Sequence, residues 1–401
     1  MREVLFLAHR IPFPPDRGDK IRSFHLLQNL CRVARVHVAT FADDAADAAH
    51  EAGLRAALGK GLASVSTIVR TRSKGASVLA SFASGRSASM EAFASATMRA
   101  AVGEVLRRDS IASIFAFSGQ MSQYVPDLLG QIRFAMDFVD VDSAKFESYA
   151  GQGHAPLRWL YRREATRLAA EEAGIAARAH VSLFVTEAEA ELFRGRSSLS
   201  GANVRALENG VDLAFFDPAG VEPEPAAGAP LLVFSGQMDY APNVQAVTHF
   251  AQAILPRIRE SRPGARFAIV GRNPAPAVQA LGALPGVAVV GGVPDMRPWL
   301  AAAHVVVAPL QVARGVQNKV LEAMAMARPV VASPQAFEGI DAEPGRDLLV
   351  ANGAEATAEA VLRVAADSGV AARIGAAARA RMCERYSWDR QMAPLEELVF
   401  G

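Results

Sequence analysis

The residues best suited to chemistry lie between positions 313 and 333, in the run Ala-Arg-Gly-Val-Gln-Asn-Lys-Val-Leu-Glu-Ala-Met-Ala-Met-Ala-Arg-Pro-Val-Val-Ala-Ser. An apolar strand ending at Pro309 leads into a loop with Gly315, then a helix whose first residues are Gln317, Asn318 and Lys319. The first N–H groups of a helix have no intrahelical acceptor, and the helix dipole makes that end positive, so a diphosphate is the natural ligand. Lys319 adds a full charge, Arg314 in the loop a second, and Glu322 one turn on can accept hydrogen bonds from a vicinal diol such as a ribose. A weaker constellation follows the first apolar run: Gly18 at a strand-to-helix turn, flanked by Arg17, Lys20 and Arg22. A glycine there lets backbone N–H groups approach a phosphate.

Other chemistries lack their signatures. The loop from His9 to Lys20 has one glycine and no G-x-G-x-x-G, which disfavours a nicotinamide cofactor; no G-x-x-x-x-G-K-[ST] phosphate loop occurs. His-cluster and G-x-S patterns are too sparse for a metal site or a hydrolase triad. Asp140-Val141-Asp142 has the D-x-D spacing that would bring two carboxylates to one side of an extended chain, where they could share a hard cation. Lys319 and its helix terminus already supply positive charge, so the expectation is that no metal is needed and no cofactor is bound.

The elements that must position these residues follow from the apolar pattern. Short Val-, Ile-, Leu- and Phe-rich runs alternating with helical stretches mark buried parallel strands and crossover helices. Strands are expected at Val4–Ala8, Val36–Phe41, Ser64–Val69, Ile111–Phe117, Arg133–Phe138 and His180–Val185. The pattern restarts at Leu231–Ser235, Arg266–Gly271, Val287–Val290, His304–Ala308, Val330–Ser333 and Asp347–Val350. Between the two sets, Phe216 to Pro230 is rich in Pro, Gly, Ala and Glu, the composition of a linker. The 401 residues therefore divide into an α/β domain over 1–217, a second over 218–385, and a tail over 386–401 that returns as an amphipathic helix to the first. Open parallel sheets place their crevices at the carboxyl ends of the strands, so two such domains facing across a cleft would bring a donor to an acceptor.

Composition removes whole classes. With 42 Lys+Arg against 41 Asp+Glu, the net charge of +1 draws no nucleic acid, and 51% apolar residues exclude disorder. Cys31 and Cys383 form no disulfide framework, which fits a reducing cytoplasm. The apolar run before His9 is too short for a signal peptide, and the longest uncharged stretch, Asn273 to Pro294, is broken by prolines. Membrane contact would then be peripheral; the basic and apolar segment from Arg70, Arg72 and Lys74 through Leu79 and Phe82 to Arg107 and Arg108 is its candidate.

Glu322-Ala-Met-Ala followed by Pro-Val-Val-Ala-Ser resembles the donor-binding signature of family-4 retaining glycosyltransferases of the GT-B fold. Several ordered segments are more closely similar to the sugar transferases of PEP-CTERM/exosortase exopolysaccharide loci in bacteria. These are Pro-Pro-Asp-Arg-Gly-Asp-Lys-Ile-Arg (14–22), Asp137 to Ser143, Glu208 to Asp212, Phe234 to Asn243, and the Arg314–Ala327 block. The resemblance implies two facing Rossmann-like domains. It implies that Glu322 holds the ribose, that Lys319 with the amides of Gln317 and Asn318 holds the diphosphate, and that Gly292 and Val293 lie near the base. Gly236 is counted with these donor-binding residues; Gly18, with Asp19 and Lys20 beside it, would approach the phosphates from the other domain, and Asp137 would face the transferred sugar. One departure stands out. The family pairs two glutamates as E-x7-E, and the earlier position is Arg314 here, which cannot accept from sugar hydroxyls and is assigned to phosphate instead.

The expected activity is transfer of a hexose-type sugar, with retention, from a UDP- or GDP-sugar to a glycan or lipid-linked precursor in exopolysaccharide or cell-envelope synthesis. Lys319, Arg314 and Asp137 are the expected catalytic residues, and the expected location is cytoplasmic or on the cytoplasmic face of the inner membrane. Two alternatives stay open: a GT-B nucleotide-sugar epimerase, which would need no acceptor, and a nucleotide-sugar-binding protein without turnover, suggested by Arg314.

Overall fold

The computed structural model describes residues 2–152, 155–197, 199, 201–225, 229–313 and 315–401. The chain divides into two compact units, 1–209 with 391–401, and 210–390.

The first unit is built on a seven-stranded sheet: β1 (Glu3–Ala8), β2 (Arg35–Ala42), β3 (Leu62–Val69), β4 (Ile111–Phe117), β5 (Arg133–Val139), β6 (Val181–Phe184) and β7 (Val204–Ala206). All its pairings are parallel and the order is β3-β2-β1-β4-β5-β6-β7. Central strands buried on both faces need side chains that pack without polar partners, and Val4 to Ala8 and Ile114 to Phe117 are almost wholly sequestered. The helix Gly18–Val33 follows β1 and turns Leu26, Leu27 and Leu30 inward. The short helix Leu395–Phe400 packs on it, with Arg2 stacking on Phe400.

The second unit repeats the plan with β8 (Leu231–Ser235), β9 (Arg266–Val270), β10 (Val287–Gly291), β11 (Val305–Ala308), β12 (Val330–Ala332) and β13 (Leu349–Val350), in the order β10-β9-β8-β11-β12-β13. Both sheets thus grow outward from the first strand in one direction and, through a fourth neighbour, in the other. The place where the order reverses, β1/β4 and β8/β11, is where open α/β sheets bind ligands.

The boundaries differ from the expected 217/218 and 385/386. Residues 210–217 belong to the second unit because Val211 pairs with Ser387, Arg379 binds the carbonyls of Leu213 and Phe216, and Arg297 sits 3.9 Å over the Phe215 ring. Gly210 is packed so closely on Trp388 that a Cβ would lie 2.7 Å from its backbone. The Pro-rich stretch also lies on this unit, Glu224 donating its N–H to Pro298. It is a surface strap rather than the crossing itself. The tail changes units after Arg390, and within it helix is confined to Trp388–Gln391 and Leu395–Phe400. The three-residue edge strand β7, whose sequence is Val-Arg-Ala, has no apolar run to announce it. No helix among the described residues is long and apolar enough to cross a membrane.

Candidate functional site

In the second unit, the chain leaves β11, passes through the loop with Gly315 and enters the helix Asn318–Ala325. Val320, Leu321, Ala323, Met324 and Ala325 are buried, which fixes the rotation of this helix and turns Lys319 and Glu322 to the carboxyl edge of the sheet. Gln317 is the N-cap residue and makes no side-chain cap bond, while its carbonyl accepts from Val320 at 2.9 Å. The N–H groups of Asn318 and Lys319, which come before the first intrahelical acceptor, are therefore left to a ligand or water.

Lys319 spans the switch point. Its Nζ lies 4.3 Å from the centroid of the Phe234 ring on β8 and donates to Oδ1 of Asn243 at 2.5 Å. Asn243 is 5% exposed and is itself held by donating through Nδ2 to the Gln237 carbonyl, at 2.8 Å. Burial lowers the Lys319 ammonium to about 8, against the pull of Glu322. Burial likewise raises the Glu322 carboxyl to about 7, against the opposing charge of Lys319. Oδ1 of Asn318 and Oγ of Ser235, the last residue of β8, are buried with no hydrogen-bond partner. A buried polar atom without a partner calls for an explanation, and a water or a ligand's polar group is one.

A row of glycines flattens the same edge. Gly236 N–H donates to Val270 and Gly271 N–H donates to Gly291 O at 2.7 Å, joining the ends of β8, β9 and β10. Gly236 has φ of +151°, and a Cβ there would meet Asn243 Nδ2 at 2.8 Å and Lys319 Nζ at 3.1 Å. At Gly271 a Cβ would meet the Gly236 carbonyl at 1.6 Å. Gly292 is exposed next to Arg272, and Val293 packs on the core. Gly236, Gly292, Val293, Gln317, Asn318, Lys319 and Glu322 thus all stand at the carboxyl edge of one sheet. Arg314 lies outside the described residues.

The first unit treats its expected residues differently. Gly18 opens its helix with free space where a Cβ would be. The cations around it are spent internally: Arg17 on Asp19 at 2.8 Å, Lys20 on Asp47 at 2.7 Å, and Arg22 on Asp137 at 2.9 Å. Asp19 also takes Arg10 at 2.8 Å and His9 at 3.4 Å. Burial alone would raise the Asp19 carboxyl, but His9, Arg17 and Arg10 outweigh it and hold it well below the usual carboxylate range. The reading of this loop as free positive charge for a phosphate is therefore corrected. Only the backbone at Gly18 remains open.

Asp137 is corrected as well. At the end of β5 it is wholly buried, gripped by two nitrogens of Arg22 and by the Val139 N–H, so its carboxylate does not face a sugar. Arg22, 1% exposed, carries the fold further by donating to Leu207 O and Asn209 Oδ1. Nor is Asp140-Val141-Asp142 extended: Asp142 opens the helix Asp142–Gln152. Burial raises Asp140 to about 6, with Glu189 adding to it. Among the described residues, the grouping close enough to share an ion is Glu3, His37 and Asp109, at the amino end of the sheet, and these already face Arg35, Ser64 and Arg108.

The chain is similar to known proteins in sequence over part of its length and in fold over all of it. Residues 229–367, which hold Gly236, Asn243, Gly292, Val293 and Gln317 to Glu322, match the family model described as glycosyl transferases group 1. The whole chain superposes on sucrose-phosphate synthase from Thermosynechococcus elongatus at 18% identity and a TM-score of 0.68, covering 99% of this chain and 98% of that one. It superposes on Anabaena HepE, in complex with UDP and glucose, at 14% identity and 0.67, covering 99% of each. It superposes on WaaG, a glycosyltransferase involved in lipopolysaccharide biosynthesis, at 15% identity and 0.66, covering all of each. The fold is the two-domain α/β GT-B fold. No curated protein sequence matches the chain.

Proposed function

We propose that this protein is a GT-B glycosyltransferase that moves a hexose-type sugar, with retention, from a UDP- or GDP-sugar to a glycan or lipid-linked precursor of an exopolysaccharide or envelope polymer. The observation that carries the reading is Lys319: an ammonium at a helix N-terminus, at the sheet's switch point, held on Asn243 and over Phe234. The group 1 glycosyl transferase match over 229–367 supports it, as do the HepE structures with UDP and with UDP-glucose.

In this reading the diphosphate sits on the N–H groups of Asn318 and Lys319, with the ammonium beside it. Glycosyl transfer develops negative charge on the departing diphosphate, and fixed donors in a site of low dielectric stabilise that charge without reorganising. Glu322, one turn along, accepts from the ribose hydroxyls, and the absence of a Cβ at Gly236 and Gly292 lets the nucleotide lie close to the backbone. Positive charge is thus supplied by the chain itself, and no metal is required by the mechanism.

Thermal-shift measurements with UDP, GDP, ADP and CMP test this. A ligand that binds the folded state and not the unfolded one raises the melting temperature, and does so increasingly as its concentration exceeds its dissociation constant. Stabilisation by UDP or GDP, followed by acceptor-dependent release of that nucleotide from its sugar, is the expected result. No shift with any of the four, or release independent of acceptor, would overturn it.

A further inference from the structure

The basic segment singled out in the sequence is largely engaged in the fold: Arg70 pairs with Asp43 at 2.8 Å and Arg72 with Glu91 at 2.7 Å. The unpartnered surface lies beside it. The helix Lys74–Ser84 and the helix Ala155–Arg178 meet where Phe82 stacks on Trp159, centroids 5.9 Å apart, and Arg163 lies 4.4 Å over Phe82 while donating to Ser81 O. Yet these rings are not core. Trp159 is 60% exposed, Phe82 46%, Leu79 73% and Leu157 49%. Tyr149 continues the patch, packed on Tyr161 and 41% exposed. A cluster of Trp, Tyr, Phe and Leu facing water costs solubility unless something covers it.

Charge says what covers it. On the helix Ala155–Arg178 the acids are turned inward: Glu164 is 4% exposed and accepts from the N–H groups of Ala88 and Ser89, Glu171 accepts from Ser87, and Glu172 accepts from Ser143. Arg158, Arg162 and Arg167 on the same helix are exposed. The outer face is therefore aromatic, aliphatic and cationic without exposed acid from that half of the helix. Amphipathic rings favour the headgroup level of a bilayer, and each arginine is drawn to anionic lipid.

We infer that this face, made by Leu79, Phe82, Leu157 and Trp159 with Arg158 and Arg162, docks the first unit on an anionic lipid bilayer. The inference is independent of the donor site, because vesicle binding is read without turnover. Full-length protein is floated with phosphatidylcholine vesicles with and without phosphatidylglycerol. Binding is expected to the anionic vesicles, to weaken with salt, and to fall about tenfold or more in Leu79→Glu/Trp159→Glu and in Arg158→Glu/Arg162→Glu. The melting temperature and nucleotide binding of these variants should match those of the parent, since every altered side chain is exposed. Absence of binding to anionic vesicles, equal binding by the variants, or concentration-dependent self-association abolished by Trp159→Glu in place of lipid binding would each overturn it.

Discussion

Lys319 and Asn243 are 76 residues apart in sequence, and their side chains meet at 2.5 Å across the switch point of the second sheet. The contact sets where the cation stands. A lysine at a helix N-terminus is otherwise a mobile charge with large rotamer entropy. Because Asn243 is anchored to Gln237 through its other amide atom, it acts as a positioning residue.

Removing that anchor should loosen the cation without removing it. Asn243→Ala is expected to weaken UDP or GDP binding by about tenfold, in line with the loss of one hydrogen bond to a charged group. Isothermal titration checks this, and Asn243→Gln, which keeps both an acceptor for Lys319 and a donor for the Gln237 carbonyl, should lose less if positioning is the role.

Gly236 is constrained from two sides. Gly236→Ala places a methyl 2.8 Å from Asn243 Nδ2 and 3.1 Å from Lys319 Nζ at a φ of +151°. It should cost about 1–3 kcal/mol of stability and abolish nucleotide binding. Gly315→Ala has free space around it, at a φ of +64°, and should cost about 1 kcal/mol through the backbone alone. Denaturant melts with nucleotide titration separate the two.

The Lys319 and Glu322 pair predicts a pH profile. Glu322 titrates near 7 and Lys319 near 8 in the free protein, so the combination of carboxylate and ammonium is most populated between those values. Nucleotide affinity should rise with pH toward 7 and fall above 8. Stability carries its own sign. The Glu322 pKa is raised above its ordinary 4.5, so the folded state holds the extra proton, and stability falls as pH climbs from there to about 7. Glu322→Gln should flatten that part of the curve; an unchanged slope would contradict the assignment.

The ion pair of Arg22 and Asp137 is a matter of folding. Both side chains are sealed from water, and breaking one partner of such a pair leaves a buried charge, at a cost of about 3–5 kcal/mol. Asp137→Ala should lower the unfolding midpoint accordingly. Nucleotide affinity of the protein that remains folded should be unchanged, since the Asp137 carboxylate is enclosed by Arg22 and the Val139 N–H rather than open to a ligand.

The strands were legible because buried parallel strands must be apolar; Ile111–Phe117 and Leu231–Ser235 run to the residue as expected. Lys319 and Glu322 were also legible, because local spacing alone puts both on one face of a helix. What spacing cannot report is who answers a charge from elsewhere in the chain. Arg17, Lys20 and Arg22 read as free cations until Asp19, Asp47 and Asp137 are seen to hold them. Asn243 ends the Phe234–Asn243 segment that carries part of the resemblance, yet its role follows only from the fold. The crossing between units was misplaced for the same reason: Pro and Gly mark an exposed chain, and the strap over 218–225 is exposed while still belonging to one unit.

The central claim is that Lys319 at the N-terminus of the helix Asn318–Ala325 binds a nucleoside diphosphate. Isothermal titration of UDP and GDP into the parent protein and Lys319→Ala tests it most directly. The expected result is binding of one of them by the parent and a loss of about ten- to a hundredfold in the variant, at an unchanged far-UV spectrum and melting temperature. Equal affinity in the folded variant would contradict the account.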